Sequence, residues 1–392
     1  MKTNPGGQLA VDDIIGRTEI CQRIREALQT QSVIMTAERR IGKTSVMTIL
    51  EERPEENWIP IYTDLEKIQD AMGFATTIYE VVQKYLSTKQ KAINLVKKLG
   101  EFFGGSEING YKIPESNQKA WLEILEQSIA ILAEEQKESG KQVLFLWDEF
   151  PYMLSNIYDS DGEETTKQVL DTLRSFRKDY KNFRLLITGS IGLHHILKEL
   201  KKTGYRNNPV NDMFQIEVTP LETKDACQLA QDLIKGEGIS YDNLPDVTAS
   251  IAQLTDNFPF YIHHIIRTLK FNQQEATVES VEAIVQDKLV DDNDPWELRH
   301  YETRIVDYYE ENSVLVKIIL DELAMRDALS PKELQAILKQ QNDSEVVKDI
   351  DAMRELLKQM NLDHYLAKNS SGKYHFRFPL IQRWWITYRE LA

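Results

Sequence analysis

The chain has 392 residues, of which 42% are hydrophobic and 28% charged, which predicts a soluble globular protein of two or three domains. Its formal charge of −15 at pH 7 disfavours a general affinity for nucleic acid or anionic membranes. The sequence lacks the run of about eighteen apolar residues that a transmembrane helix needs, and we expect no signal peptide in its polar first residues. Its two cysteines lie far apart in the sequence and favour a reducing compartment, so we expect a cytoplasmic protein.

The first motif is a strand, a loop and a helix between residues 32 and 50. An apolar run at residues 33–35 leads into a polar turn that ends in Gly42, Lys43 and Thr44, and helix-forming residues follow. In a phosphate-binding loop, backbone amides and the helix N-terminus contact phosphate, a lysine bridges the β- and γ-phosphates, and a hydroxyl binds Mg²⁺. This pattern assigns phosphate contact to Lys43 and metal binding to Thr44. A Gly-Lys-Thr that follows a buried strand by chance is the alternative.

The loop departs from the usual pattern at its first position. Ala37 stands where G-x-x-x-x-G-K-[ST] has a glycine. Glycine is favoured there for its freedom in φ and for close approach, and alanine is the smallest change from it. We expect Ala37 to narrow the conformations of the turn without abolishing nucleotide binding.

The second motif is an apolar run at residues 143–147 that is followed by Asp148 and Glu149. Such a run predicts a central parallel strand, which places both carboxylates at the edge of a sheet where ligands bind in open α/β folds. We expect Asp148 to hold Mg²⁺, and Glu149 to orient and deprotonate the attacking water. A strand that merely ends in solvated acids is the alternative, but a phosphate-binding loop about a hundred residues upstream favours the functional interpretation.

Further strands are predicted at residues 58–64, 183–190 and 214–218, with helices between them. The strand at 183–190 ends in hydroxyls, so Thr188 or Ser190 is expected near the γ-phosphate or its water. A capped strand end before a helix at 194–200 is the alternative. Helices are also expected at 20–28, 71–86, 89–103 and 118–136, with a loop at 104–114. Five strands alternating with helices predict a parallel sheet covered on both faces.

Five short segments carry a resemblance to a known family: 16–17, 39–45, 147–150, 187–190 and 218–221. Together they resemble the archaeal-type ATPases of the STAND division, which are AAA+-related signalling ATPases. The resemblance implies an α/β P-loop NTPase fold with a five-stranded parallel sheet in the order 5-1-4-3-2. It also implies Mg²⁺ and ATP as cofactors, held in part by the loop residues Arg40, Ile41, Gly42, Lys43, Thr44 and Ser45.

The resemblance divides the chain into an ATPase core at 1–220, a helical lid at 221–292 and a winged-helix domain at 293–392. Charged, turn-rich residues at 291–295 mark the last boundary. Family members often carry a glycine and a proline before the third lid helix, with the proline near the nucleotide base. Pro259 matches that proline, whereas the glycine has no match here. An ordinary first-turn proline is the alternative for Pro259.

The resemblance implies slow ATP hydrolysis in a switch or scaffold for a protein partner, and it allows a nucleotide-dependent homo-oligomer. One alternative is a DNA-associated ATPase like the origin-recognition group, which would use the basic wing with Lys368, Lys373 and Arg377. Another is a nucleotide-binding scaffold without turnover.

Trp384 and Trp385 are predicted to pack in a hydrophobic core, and an exposed docking patch is the alternative. No arginine acting in trans is assigned, although the nearest candidates are Arg174, Arg177 and Arg206.

Overall fold

We describe a computed structural model of the chain, which covers residues 1–86, 120–189, 192–341 and 344–391. The predicted helix at 89–103, the predicted loop at 104–114 and Ser190 lie outside the described residues. By contact the chain divides into two compact units. The sheet unit comprises residues 17–39 and 43–218, and the helical unit comprises residues 1–16, 40–42 and 219–391. The division into three domains predicted from the sequence stays a prediction.

The sheet unit contains five parallel strands. They are β1 (Val33–Thr36), β2 (Trp58–Asp64), β3 (Gln142–Asp148), β4 (Phe183–Thr188) and β5 (Phe214–Glu217). Their spatial order is β5, β1, β4, β3, β2, which confirms the predicted order 5-1-4-3-2. The central strands are nearly continuous apolar runs, as expected for a parallel sheet with both faces covered by helices.

The register of this sheet brings the predicted polar residues to one edge. Met35 of β1 lies opposite Thr188 of β4, and Trp147 of β3 lies opposite Ile187 of β4. On the other side of β3, Asp148 lies opposite Asp64 of β2. Because the strands are parallel, the loops that follow β1, β3 and β4 leave the sheet at the same edge.

Six helices are described in the sheet unit: α1 (Thr18–Thr30), α2 (Lys43–Glu52), α3 (Ala71–Tyr85), α4 (Ala120–Glu138), α5 (Phe150–Asp179) and α6 (Leu193–Lys202). Beneath them, the fully buried Trp147 contacts Phe74 edge-on at 5.3 Å and stacks on Phe150 at 5.8 Å between ring centroids. This aromatic cluster fixes the end of β3 and the first turn of α5, where the two acids lie.

The acidic residues at 159–164 form part of a helix. They continue helix α5, which bends at Gly162, where φ is 84°. Two of their polar side chains hold the chain before α3: Asp161 accepts a hydrogen bond from the amide of Ala71 at 2.7 Å, and Ser160 donates to the carbonyl of Gln69 at 3.0 Å. The backbone amide of Ala71 has no partner within its own helix, because it lies at the helix start, and Asp161 supplies one. The amino-acid composition alone does not reveal these hydrogen bonds.

Four helices of the helical unit lie in the segment predicted as the lid: α7 (Thr223–Glu237), α8 (Leu244–Leu254), α9 (Pro259–Phe271) and α10 (Val278–Val290). Six more follow: α11 (His300–Tyr309), α12 (Ser313–Ala324), α13 (Pro331–Leu338), α14 (Glu345–Lys348), α15 (Ile350–Leu362) and α16 (Pro379–Tyr388). An antiparallel hairpin of β6 (Leu366–Lys368) and β7 (Tyr374–Phe376) lies between α15 and α16. Helices α14 and α15 are divided at Asp349, whose side chain accepts a hydrogen bond from the amide of Asp351 at 2.8 Å.

The closing helix α16 packs into the helical unit. Trp384 and Trp385 are buried, and the indole nitrogen of Trp385 donates to Asp321 at 2.8 Å. The core interpretation of this pair is therefore confirmed. At the start of the helix, the amide of Leu380 donates to Asp256 at 2.6 Å, which ties α16 to the turn after α8.

Candidate functional site

The loop between β1 and α2 has the backbone that a phosphate-binding turn requires. Gly42 has a φ of 102°, a conformation that glycine adopts without penalty, and α2 begins at the next residue, Lys43. Ala37 is buried but is not among the described residues with positive φ, so its methyl group causes no left-handed backbone strain. The alanine at the first position of the motif is thus compatible with the turn.

The side chain of Lys43 is directed at its own loop. It is buried, and its ammonium donates to the carbonyls of Ala37 and Glu38, both at 3.4 Å. A phosphate oxygen would give this ammonium a charged acceptor, and charge-assisted hydrogen bonds are about twice as strong as neutral ones.

Thr44 and Asp148 come together although they are far apart in the chain. The hydroxyl of Thr44 donates to Oδ2 of Asp148 at 3.3 Å. A hydroxyl beside a carboxylate is the kind of oxygen donor pair that binds Mg²⁺ in phosphate-binding loops. The two residues predicted to hold the metal therefore fit Mg²⁺ in chemistry and in mutual position.

Asp148 lies in a setting that disfavours its negative charge. Burial, followed by the charge of Glu149, raises the pKa of Asp148 to about 6, and Lys43 opposes the shift. A divalent cation at Thr44 and Asp148 would favour the ionised form. The second acid, Glu149, donates its backbone amide to Oδ1 of Asp148 at 3.0 Å.

The raised pKa of Asp148 predicts a pH effect on stability that Asp148→Asn should remove. The folded carboxyl binds its proton more tightly than the unfolded one, which has the ordinary aspartate pKa of 3.8. The stabilisation by Asp148 is therefore complete at low pH and declines between about pH 4 and pH 6. The wild type should lose on the order of 2 kcal/mol relative to Asp148→Asn across this range. Urea unfolding of both proteins at several pH values checks this, and parallel profiles would contradict it.

Glu149 has a strained backbone. Its φ is 53° and its ψ is 31°, in the left-handed region, and it directly precedes α5. A non-glycine residue in such a conformation costs on the order of 1–3 kcal/mol and persists only where surrounding contacts impose it. Strain of this kind is concentrated at functional sites, which supports the role of Glu149.

The end of β4 adds a hydroxyl to the site. Thr188 is buried, and within the described part of the chain its Oγ1 has no hydrogen-bond partner. A β-carbon placed on the next residue, Gly189, would lie 2.6 Å from Pro151 and 3.4 Å from a carboxylate oxygen of Glu149. The chain after Thr188 thus passes directly beside the second acid. Of the two hydroxyls predicted here, only Thr188 can be placed, because Ser190 lies outside the described residues.

Two residues at the end of β2 belong to the same edge and were not predicted from the sequence. Burial, followed by the charge of Asp148, raises the pKa of Tyr62. Thr63, opposite Trp147 in the sheet, is buried, and its Oγ1 has no partner among the residues that the structure describes. The predicted strand order already places β2 beside β3. It could therefore have indicated that residues at the end of β2 lie near Asp148.

The remaining predicted residues are placed as follows. Ile41 is buried, Ser45 is half-buried in the first turn of α2, and Pro259 is the first residue of α9. The contact of Pro259 with a nucleotide base stays a prediction. Arg177 pairs with Asp212 at 2.9 Å, Arg174 donates to Asn211 at 3.1 Å, and Arg206 is exposed.

The comparisons with known proteins concern the fold. No protein-family model and no curated protein matches this chain. The structure of a Walker-type ATPase of Pyrococcus abyssi is similar with a TM-score of 0.59 and 17% identity, covering 95% of this chain and 96% of that one. The ORC2 protein of Aeropyrum pernix, in ADPNP and ADP complexes, is similar with a TM-score of 0.51 and 10% identity, covering 99% and 96%. The α/β fold predicted from the sequence, with its five-stranded parallel sheet, is thereby confirmed.

Among the described helices, none combines the length and the apolar character that crossing a bilayer requires.

Proposed function

We propose that this protein is an ATPase that binds Mg²⁺-ATP and hydrolyses it slowly. The observation that carries the proposal is the contact of Thr44 with Asp148 at 3.3 Å, made by the residue that follows the buried Lys43. It joins the two halves of a nucleotide site that lie about a hundred residues apart in the chain. The shared fold with a Walker-type ATPase supports the same conclusion.

The residues of the site have distinct tasks in this reaction. Lys43 neutralises phosphate charge, and Thr44 and Asp148 would hold Mg²⁺, which when bound withdraws charge from the phosphate oxygens. Glu149 orients a water molecule and accepts its proton as the oxygen bonds to the γ-phosphorus. The bond from that phosphorus to the bridging oxygen breaks, and ADP leaves with the bonding electrons. The hydroxyl of Thr188 can donate to the γ-phosphate or to the water.

We further propose that the protein is a STAND-type switch or scaffold that acts on a protein partner. This rests on the sequence resemblance and on the helices and hairpin of the helical unit, in which residues 293–392 would form the winged helix. A nucleotide-dependent change within the chain would then regulate access to the partner.

The test measures ATP binding by calorimetry and phosphate release by the wild type, each with Mg²⁺ and with EDTA. We expect ATP binding and slow release of phosphate that stops in EDTA. A wild type that neither binds nor hydrolyses ATP would refute the proposal, whereas tight binding without turnover would assign a non-hydrolysing scaffold. Sizing the protein with ADP and with a slowly hydrolysed ATP analogue reports assembly at the same time.

A DNA-associated ATPase is the second candidate, because the similarity to the ORC2 protein covers 99% of this chain. The charges of the helical unit argue against it. In α14 and α15, basic side chains pair with acids of the same helix, as in Arg354 with Asp351 at 2.6 Å. In the hairpin, Lys373 pairs with Glu333 at 3.1 Å. Phosphate contacts would have to compete with these pairs, so we favour a protein partner.

We therefore expect duplex DNA to bind with a Kd weaker than about 100 µM at roughly 50 mM salt, outside the usual range of non-specific binders. Fluorescence anisotropy with a labelled duplex measures this. Tighter binding that weakens with salt and with Lys373→Ala combined with Arg377→Ala would establish the DNA-associated alternative.

A further inference from the structure

Arg40, in the middle of the phosphate-binding loop, makes its contacts with the helical unit. Its guanidinium carbon lies 4.4 Å from the ring centroid of Phe260 on α9, and it forms an ion pair with Glu297. A β-carbon on Gly6 would lie 3.5 Å from Nη1 of Arg40. Residues 40–42 accordingly belong to the helical unit, whereas Lys43 belongs to the sheet unit. The boundary between the two units therefore falls within the loop.

The groups that hold Arg40 are themselves well fixed. Phe260 is buried and lies edge-on to Tyr261, with 5.3 Å between the ring centroids. Glu297 lies between two fully buried residues, Trp296 and Leu298. The side chain of Asp294 closes this turn, since it accepts from the amide of Leu298 at 2.7 Å. The aromatic ring and the carboxylate thus form a preorganised cradle for one guanidinium.

The backbone of Arg40 needs such support. Its φ is 64°, in the left-handed region that non-glycine residues rarely adopt, and this conformation persists only when its surroundings impose it. Glu297 has a φ of 55°, so two strained residues are paired through their side chains. Lys43 is three residues further along the chain, and a change in the backbone at Arg40 alters the turn that presents it.

We propose that Arg40 is a positioning residue: Phe260 and Glu297 hold its guanidinium and thereby keep the phosphate-binding turn in the form that binds nucleotide. The proposal rests on the proposed function, because it gives α9 and the turn at residue 297 control over the affinity for nucleotide. It also makes a distinctive prediction, since removing Glu297, which is far from the loop in sequence, should weaken nucleotide binding.

The experiment measures ADP affinity by calorimetry for Glu297→Gln, Phe260→Leu, Arg40→Ala and Arg40→Lys. We expect a loss of about threefold for Glu297→Gln and of about tenfold for Arg40→Ala, because a partly exposed ion pair contributes less than the pair and the cation–π contact together. Phe260→Leu should fall between them. Arg40→Lys should recover most of the affinity, since an ammonium can also lie over the ring and reach the carboxylate.

Two comparisons separate positioning from a general structural effect. Asp292→Asn removes the exposed ion pair of Asp292 with Arg299 in the same segment, and we expect it to leave ADP affinity unchanged. The double variant Arg40→Ala with Glu297→Gln should bind no more weakly than Arg40→Ala alone, which shows that both residues act through one contact. Urea unfolding midpoints for Glu297→Gln and Asp292→Asn should agree closely.

Two results would overturn the inference. ADP affinity that is unchanged or higher in Glu297→Gln would mean that the ion pair does not support the binding form of the loop. Additive losses in the double variant would mean that Arg40 acts independently of Glu297, as it would by contacting phosphate directly. A wild type that binds no nucleotide would refute the proposed function itself and is thus a separate outcome.

Discussion

The variant Glu149→Gln should bind ATP with an affinity within about twofold of the wild type and release phosphate at least about a hundredfold more slowly. Glutamine keeps the size and polarity of the side chain and removes the group that accepts the proton of the attacking water. The contacts that we propose between ATP and the side chains of Lys43 and Thr44 do not involve this carboxylate. Single-turnover hydrolysis and an independent binding titration measure the two effects separately.

A second substitution at the same position separates chemistry from backbone strain. Glycine accepts a φ of 53° without penalty, so Glu149→Gly should unfold at the same urea concentration as the wild type or at a higher one. It should nevertheless be as inactive as Glu149→Gln. Turnover by either variant above about one tenth of the wild-type rate would remove Glu149 from the catalytic role.

Lys43→Ala should lower ATP affinity by at least about a hundredfold, because a charge-assisted contact to phosphate is lost from a buried position. Lys43→Ala should nevertheless fold, because Lys43 is the first residue of α2 and alanine is a strong helix former. Calorimetry and urea unfolding of the same preparation test both parts.

Lys43→Met is the matched control for packing, since it keeps most of the side-chain volume without the charge. It should bind ATP as weakly as Lys43→Ala, although it fills most of the space that the lysine side chain occupies. If Lys43→Met retained ATP binding within about threefold, the ammonium would not contact phosphate and the assignment of the loop would be wrong.

The sheet was predictable because its central strands are apolar runs that end in distinctive polar residues. Once the Gly-Lys-Thr loop and the acid pair are placed at strand ends, a parallel sheet brings them to one edge. The resemblance to a known family supplied the strand order, which composition and periodicity do not determine. In that order β4 lies between β1 and β3, so the contact of Thr44 with Asp148 also depends on the position of α2 after the loop.

Other features depend on contacts between distant residues and leave no local pattern. The strained backbone of Glu149 results from packing around the start of α5, and the pairing of Arg40 with Glu297 joins segments more than 250 residues apart. The acidic composition of residues 159–164 does not reveal that they form part of a helix. Asp161 accepts a hydrogen bond from the amide of Ala71, which is 90 residues away in the chain, so this contact can be recognised only in the folded structure.

The bend of α5 at Gly162 limits how far a movement of Glu149 can be transmitted along the helix. A straight helix from Phe150 to Asp179 would transmit a tilt at Glu149 to its far end as a rigid lever arm. The interruption at Gly162 divides that arm, and Asp161 ties its first half to the start of α3. We therefore expect a displacement that begins at Glu149 to reach the start of α3 through Asp161 rather than the second half of α5.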